Sequence, residues 1–341
     1  MTAHNIRLLV VDDSIYMQMA IRAMVGAHPD IKIVGEATNG EQAVEMAVRL
    51  KPDVITMDVN MPGLDGLEAT RQIMTQAPTR IIMLSSLTEK GAAMTFRALE
   101  LGAVDYIPKS SSAIDVDLAT VAEQVAAKLL FWGRQRIATR KFTNDLIPVL
   151  PRSADLLVIA AGSGSPMLVG DLLRAAMPLS FPVLVVQEMP ANFTVPFADF
   201  LARTTGHRTR EGAHRSALTA GTVTVMPGGR EGSISRSSGG GLSLDLGRSA
   251  ATSRAEGEVI ASAVAAAQAP VVILLSGEAR PLDRLVAAWA GKSGALWVQS
   301  PESCVVDALP RAAITTGLAH AVVEPQNLVA ALRTGIERSA A

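Results

Sequence analysis

Apolar residues in the first third of the chain gather in short runs separated by longer stretches with helical spacing. The runs "IRLLVV" (6–11), "IKIVGEA" (31–37), "DVITMD" (53–58), "RIIMLSS" (80–86) and "VDYIPK" (104–109) are rich in valine and isoleucine. They have strand length, and segments such as 41–50, 66–77 and 90–101 have helix length. This alternation predicts βαβ units and a parallel sheet. Residues 110–130 keep apolar positions at helical spacing and predict a further helix.

The pattern then breaks. "FWGRQRIATRKFTNDLIPVLPRSAD" is basic at first and is interrupted by Gly133, Pro148 and Pro151, which reads as a boundary segment. Phe131 and Trp132 either pack at that boundary or close the first core. The expected divisions are 1–128, a linker at 129–153, and 154–341. Beyond the linker, strands are predicted at 155–162, 181–188, 222–229, 269–278 and 295–300, with a weaker one at 242–247. Helices are predicted near 166–177, 255–268, 281–291 and 326–338. The second half is therefore also α/β and mainly parallel, with an antiparallel portion around 209–247. "REGSISRSSGGG" (230–241) reads as a flexible surface loop.

Composition narrows the class. The chain has 341 residues, is 49% hydrophobic and carries a formal net charge of -1. That is ample for two cores, and it offers no strong field for nucleic acid or an anionic membrane. The single cysteine, Cys304, excludes an intramolecular disulfide, fits a reducing compartment and reads as a buried structural thiol. The first apolar run is too short for a leader and ends on two aspartates, and no run has spanning length. A cytoplasmic protein is expected.

Chemistry gathers where the first set of strands ends. Strand one delivers Asp12 and Asp13, strand three Asp58, strand four Ser85 and Ser86, and strand five Lys109. In a parallel sheet these carboxyl ends meet in one crevice. Three converging carboxylates repel one another unless a cation joins them, and oxygen-only donors suit Mg²⁺. A lysine and a hydroxyl beside them fit the oxygens of a transferred phosphoryl group. The competing reading, that the aspartates only cap the helices that follow, accounts for fewer of these positions.

The segments "VVDDS", "TMDVNMPGLDG", "LSS" and "YIPK" resemble the receiver domain of two-component response regulators over about residues 5–128. The resemblance implies a flavodoxin-like (βα)5 domain that a histidine kinase phosphorylates on Asp58. It implies Asp13, Asp58 and the Asn60 carbonyl as Mg²⁺ ligands, with Asp12 helping through water. It also implies Ser85 as switch hydroxyl, Lys109 as phosphate partner and Tyr106 as the aromatic that changes rotamer. One departure is that Pro108 precedes Lys109 and Ser110 follows it.

"MLSSLTEKG", "TFRALELGAVDYI" and "QSPESCVVDALPRAA" (299–313) extend the resemblance to a receiver fused to a chemotaxis protein-glutamate methylesterase. Such enzymes act on chemoreceptor glutamates with a serine nucleophile, a histidine base and an orienting aspartate, and some deamidate glutamines there. The family's serine turn reads "AAGSGS" (160–165) here, with Gly162 at the aligned place. Its histidine place, in "QEMP" (187–190), holds Glu188. Its aspartate place, in "SGEARPLD" (276–283), holds Pro281. A fourth active-site segment reads "RAEGEV" (254–259). Four altered segments beside a retained framework lead us to expect a response regulator whose output domain lacks catalysis and acts through a partner or as a phosphate sink. The alternative is an active methylesterase and deamidase that uses Ser163 or Ser165, with Asp283 in the third role.

Overall fold

The computed structural model describes residues 5–26, 28–109, 118–134, 147–176, 178, 180–249 and 253–340. They fall into two compact units that divide near residue 140. No helix among the described residues is long and apolar enough to cross a membrane.

The first unit alternates β1 (Ile6–Val11), α1 (Ile15–Gly26), β2 (Ile31–Ala37), α2 (Gly40–Leu50), β3 (Val54–Asp58), α3 (Gly66–Gln76), β4 (Arg80–Ser86), α4 (Glu89–Glu100), β5 (Asp105–Lys109) and α5 (Leu118–Arg134). All strand pairs are parallel, in the order β2-β1-β3-β4-β5. This is the doubly wound arrangement in which β1 and β3 flank the change of winding direction. Short polar side chains fix the helix starts. Asn39, Asp65 and Thr88 accept the N–H groups of Gln42, Glu68 and Gly91. Gly66 is required by space, since a Cβ there would lie 1.9 Å from the Asp58 carbonyl oxygen. Its absence lets α3 begin directly behind the end of β3.

The helix expected at 110–130 is α5. Residues 110–117 lie outside the described residues, and the helix runs on to Arg134, past the expected division at 128. Trp132 packs on the core of Leu8, Val10, Ile82 and Leu129 and donates its indole N–H to Asp105. Of the two readings for Trp132, closing the first core is the one observed.

The second unit contains β6 (Leu156–Ala161), α6 (Pro166–Ala175), β7 (Val183–Gln187), α7 (Ala191–Thr205), β8 (Arg208–Glu211), β9 (Ser216–Leu218), β10 (Thr222–Val225), β11 (Arg230–Arg236), β12 (Leu242–Ser249), α8 (Ser253–Ala266), β13 (Pro270–Leu274), α9 (Asp283–Trp289), β14 (Ala295–Gln299), α10 (Ala308–Thr315), β15 (Ala321–Val323) and α11 (Pro325–Ala340). Seven strands form a parallel sheet in the order β15-β14-β13-β6-β7-β10-β8. The predicted fold class, two α/β units with mainly parallel sheets, is the one found.

One expectation fails. Residues 230–236 are not a loop: they form β11, paired antiparallel with β12, which itself pairs with β9. Hydroxyls replace apolar packing on its exposed face. Ser235 lies 3.0 Å from the Ser243 hydroxyl and donates to Asp245. Ile234 is buried, and its N–H donates to Ser262 of α8. Only the turn is loop, with Ser237 donating to Gly241 and Gly240 at φ 84°. The antiparallel portion also starts later than expected, because β8 joins the main sheet parallel to β10.

Hydrogen exchange should therefore be slow at Ile234 and fast at Ser238–Gly240. Ile234→Ala should lower the stability of the second unit by about 3 kcal/mol. Exchange at Ile234 as fast as in the turn would contradict the strand.

Candidate functional site: an acidic pocket and a rewired strand-end cluster

The first unit brings its predicted residues together. Asp12 follows β1, Asp58 ends β3 and Lys109 ends β5. Asp12 and Asp58 are buried and Asp13 is exposed, and the three offer carboxylate oxygens within 4.8 Å of one another. The Lys109 ammonium sits 2.8 Å from an oxygen of Asp12 and 2.8 Å from one of Asp58. Burial pushes the Asp58 carboxyl above its ordinary value; Lys109 pulls it down, and the Asp12 charge pushes it up again. Burial works against the Lys109 charge, yet the two carboxylates outweigh it and hold Lys109 above its ordinary value.

Anchors fix the geometry. Ser14 N–H donates to Asp12 Oδ1, Gln18 Nε2 donates to the Asp12 carbonyl, and Asn60 N–H reaches Asp58 Oδ1 at 3.4 Å. Ser85 is buried on β4, and its hydroxyl accepts from Thr95 of α4 at 2.6 Å. Thr95 was not foreseen from sequence. Tyr106 is buried, with its ring edge-on to Phe96 at 6.1 Å. An all-oxygen set with excess negative charge and one buried carboxylate already pushed upward fits a hard divalent cation such as Mg²⁺.

The second unit places its predicted positions differently. Gly162 follows β6 and Glu188 follows β7. A Cβ at Gly162 would lie 3.1 Å from Glu188 Oε2 and 2.7 Å from the Gly277 Cα. Positions 162 and 188 therefore face each other, but 162 has no room for a side chain unless the 276–277 backbone moves. Ser165 is buried and donates to the Ser276 carbonyl, and the Ser163 carbonyl accepts from the Ser276 hydroxyl. Pro281 is exposed, and so is Asp283, the first residue of α9.

Glu188 is instead drawn to Arg280, whose side chain is fully buried. Arg280 Nη2 lies 3.4 Å from Glu188 and 2.7 Å from Glu256 of α8. The approach to Glu256 is close but poorly aligned, so it is an ion contact without a hydrogen bond, and Arg280 Nε and Nη1 have no protein partner. Burial first, and the Glu188 charge after it, push the Glu256 carboxyl up to about 7 against the pull of Arg280. Sequence reasoning missed this pair. A signal was present, since Glu256 and Arg280 stand in two of the four altered segments and carry opposite charges.

No described histidine hydrogen-bonds to Ser163 or Ser165. His207 Nε2 is paired with the Leu173 carbonyl, His214 Nδ1 accepts from Leu246 N–H, and His320 Nδ1 accepts from Leu296 N–H. His28 belongs to the first unit, and His4 lies outside the described residues. Cys304 is buried, donates to the Ser300 carbonyl and is pushed up to about 12, mainly by burial, as suits a structural thiol.

Two family models cover most of the sequence. Residues 8–119 match the response regulator receiver domain, and residues 157–332 match the CheB methylesterase. The chain belongs to the CheB methylesterase family. A Thermotoga maritima protein named protein-glutamate methylesterase/protein-glutamine glutaminase is 34% identical over 95% of this chain and 96% of its own length. A Saccharophagus degradans protein of the same name, numbered 1, is 31% identical over 93% and 96%. The chain is also similar to the solved response regulator domain of Thermotoga maritima CheB, at 49% identity over 39% of this chain and 99% of that one, with a TM-score of 0.36. All four altered segments lie inside the CheB-matched stretch, 157–332.

The raised Glu256 carboxyl has a stability consequence. Its value in the folded state lies above the ordinary 4.5, so its contribution is complete below about pH 4.5 and is lost as pH rises through about 7. The second unit should lose about 3 kcal/mol across that window. Glu256→Gln should flatten the dependence in urea unfolding run at acid and alkaline pH. An unchanged slope in that variant would remove Glu256 as its source.

Proposed function

We propose that this CheB-family chain is a response regulator phosphorylated on Asp58 by a histidine kinase, and that its output domain acts by binding a signalling partner or by drawing off phosphate, without ester hydrolysis. Asp12, Asp13, Asp58 and the Asn60 carbonyl would hold Mg²⁺, which when bound neutralises the pocket and the incoming phosphoryl oxygens. An Asp58 carboxylate oxygen is the nucleophile toward phosphorus. Lys109, now shared between Asp12 and Asp58, is placed to turn to a phosphoryl oxygen as Asp58 is consumed. Ser85 supplies a hydroxyl that Thr95 holds until then. Chemoreceptors are the partner class that the family suggests.

The observation that carries the non-hydrolytic reading is Glu188. It faces the nucleophile place, is tied to buried Arg280, and has no described imidazole beside it. A serine hydroxyl needs a base of near-neutral pKa to take its proton. A carboxylate at 188 would also repel the oxyanion formed on the ester carbonyl.

A second reading has its own support. The relatives are named methylesterase and glutaminase, which favours an active enzyme using Ser163 or Ser165. Methanol release from a glutamyl-methylated chemoreceptor, measured with the full chain and acetyl phosphate, separates the two. The non-hydrolytic reading expects no release above background and no change in Ser163→Ala or Ser165→Ala. Turnover that either substitution abolishes would establish the enzyme. Independently, Asp58→Asn should lose all phosphoryl uptake from acetyl phosphate and Mg²⁺, read by intact mass; uptake that persists would move the acceptor elsewhere.

A further inference from the structure

β8 ends the seven-stranded sheet, so its outer side has no strand neighbour. Gly212 N–H donates to the Val225 carbonyl at the end of β10. Successive residues of a parallel strand turn their main-chain groups to opposite sides. Arg208 and Arg210 therefore bond inward to β10, and Thr209 and Glu211 offer N–H and C=O groups to the free side. The side chains carry charge of one sign. Arg208 and Arg210 are exposed and, two residues apart, share one face of the strand. Their register partners on β10 are Thr222 and Thr224, so no carboxylate meets them from within the sheet. The one acid of the strand, Glu211, is half-buried and accepts from the Thr194 hydroxyl of α7. A third cation, the exposed Arg215, stands in the turn after β8. No described carboxylate pairs with any of the three. Arg215 has φ 58°, in the left-handed region that favours glycine. Hydrogen bonds hold it there. Ser216 N–H donates to the Ala213 carbonyl at 3.0 Å, Ala213 N–H donates to the Ser216 hydroxyl at 3.2 Å, and His214 Nδ1 accepts from Leu246 N–H. Charges on a free edge also serve to block unwanted strand pairing. That account covers Arg208 and Arg210 and gives no reason for an arginine kept at a strained backbone position.

We propose that the free edge of β8 is a docking surface for an extended acidic segment of a protein partner. The segment adds to the sheet as a further strand and sets carboxylates at alternate positions against Arg208 and Arg210, with Arg215 as a third cation in the adjoining turn. Main-chain bonds to Thr209 and Glu211 supply affinity, and the two-residue period of an added strand supplies the match to the arginines. A peptide fits this edge better than a nucleic acid, because the edge offers paired donors and acceptors and a phosphate backbone takes only donors. The whole chain has a formal net charge of -1, so the positive charge is local to this edge. The inference is independent of the strand-end cluster, since a recruiting edge serves a binding protein and an esterase alike.

The probe is a fluorescein-labelled peptide of alternating glutamate and threonine, compared by anisotropy with a peptide of the same composition written as two blocks. The full chain should bind the alternating peptide more tightly, and amide exchange at Thr209 and Glu211 should slow when it is added. Arg208→Gln/Arg210→Gln should weaken that binding about tenfold, the scale of two cross-strand ion pairs. Arg215→Gly relaxes the left-handed backbone, so it should fold at least as stably while binding about threefold more weakly. Equal binding of the two peptides, with exchange on β8 unchanged, would reduce the patch to charge attraction and overturn strand addition. No binding by the wild-type chain would overturn the proposal outright, and self-association of the double variant would then assign the arginines to guarding the edge. A single-stranded oligonucleotide of equal charge held as tightly through the same arginines would overturn the choice of a peptide.

Discussion

The contact of one lysine with two buried carboxylates governs the first unit. Asp12 and Asp58 stand at the ends of neighbouring strands because the parallel sheet delivers them there, and their charges oppose that placement. Lys109 arrives from β5, two strands beyond β3, and makes the arrangement tolerable. Much of the surrounding structure serves this geometry. Gly66 vacates the space behind Asp58, Gln18 fixes the turn after Asp12, and Thr95 occupies the Ser85 hydroxyl. Under the proposed function, such a pocket would exchange a cation contact for a phosphoryl contact with the lysine already in place.

The second unit meets the same constraint with a different outcome. Its parallel sheet also collects polar groups at the carboxyl ends of its strands, and there Arg280 is flanked by Glu188 and Glu256. A guanidinium is never a proton acceptor at ordinary pH. Glu256 is close to neutrality in pKa but is directed to Arg280. The cluster is therefore an electrostatic tie across β7, α8 and the segment after β13. What the fold keeps is the frame. Gly162 still approaches Gly277 closely, and Gly164, at φ 82°, still turns against Val305. A scaffold held by backbone contacts survives changes in the side chains it presents.

Much of the first unit was legible from sequence, since its candidate groups Asp12, Asp58, Ser85 and Lys109 stand at the ends of apolar runs. The caps Asn39, Asp65 and Thr88 mark helix starts in the same readable way. What escaped was whatever depends on pairing across distance. β11 reads as a loop in sequence because serine and glycine are poor strand formers in isolation; the Ser235–Ser243 hydroxyl contact exists only once β12 has returned alongside. β15 is three residues long and gains its place from β14. Arg280 and Glu256 are read as ordinary charges until the fold buries them together.

Lys128 is the sharpest case of that kind. In sequence it is one cation in an amphipathic helix, the ordinary place for a solvated side chain. In the fold its ammonium is buried and shared between the Asp105 carboxylate and the Tyr106 carbonyl, twenty-two residues back along the chain. The edge of a sheet needs covering, and an apolar helix face would have covered it at lower electrostatic cost.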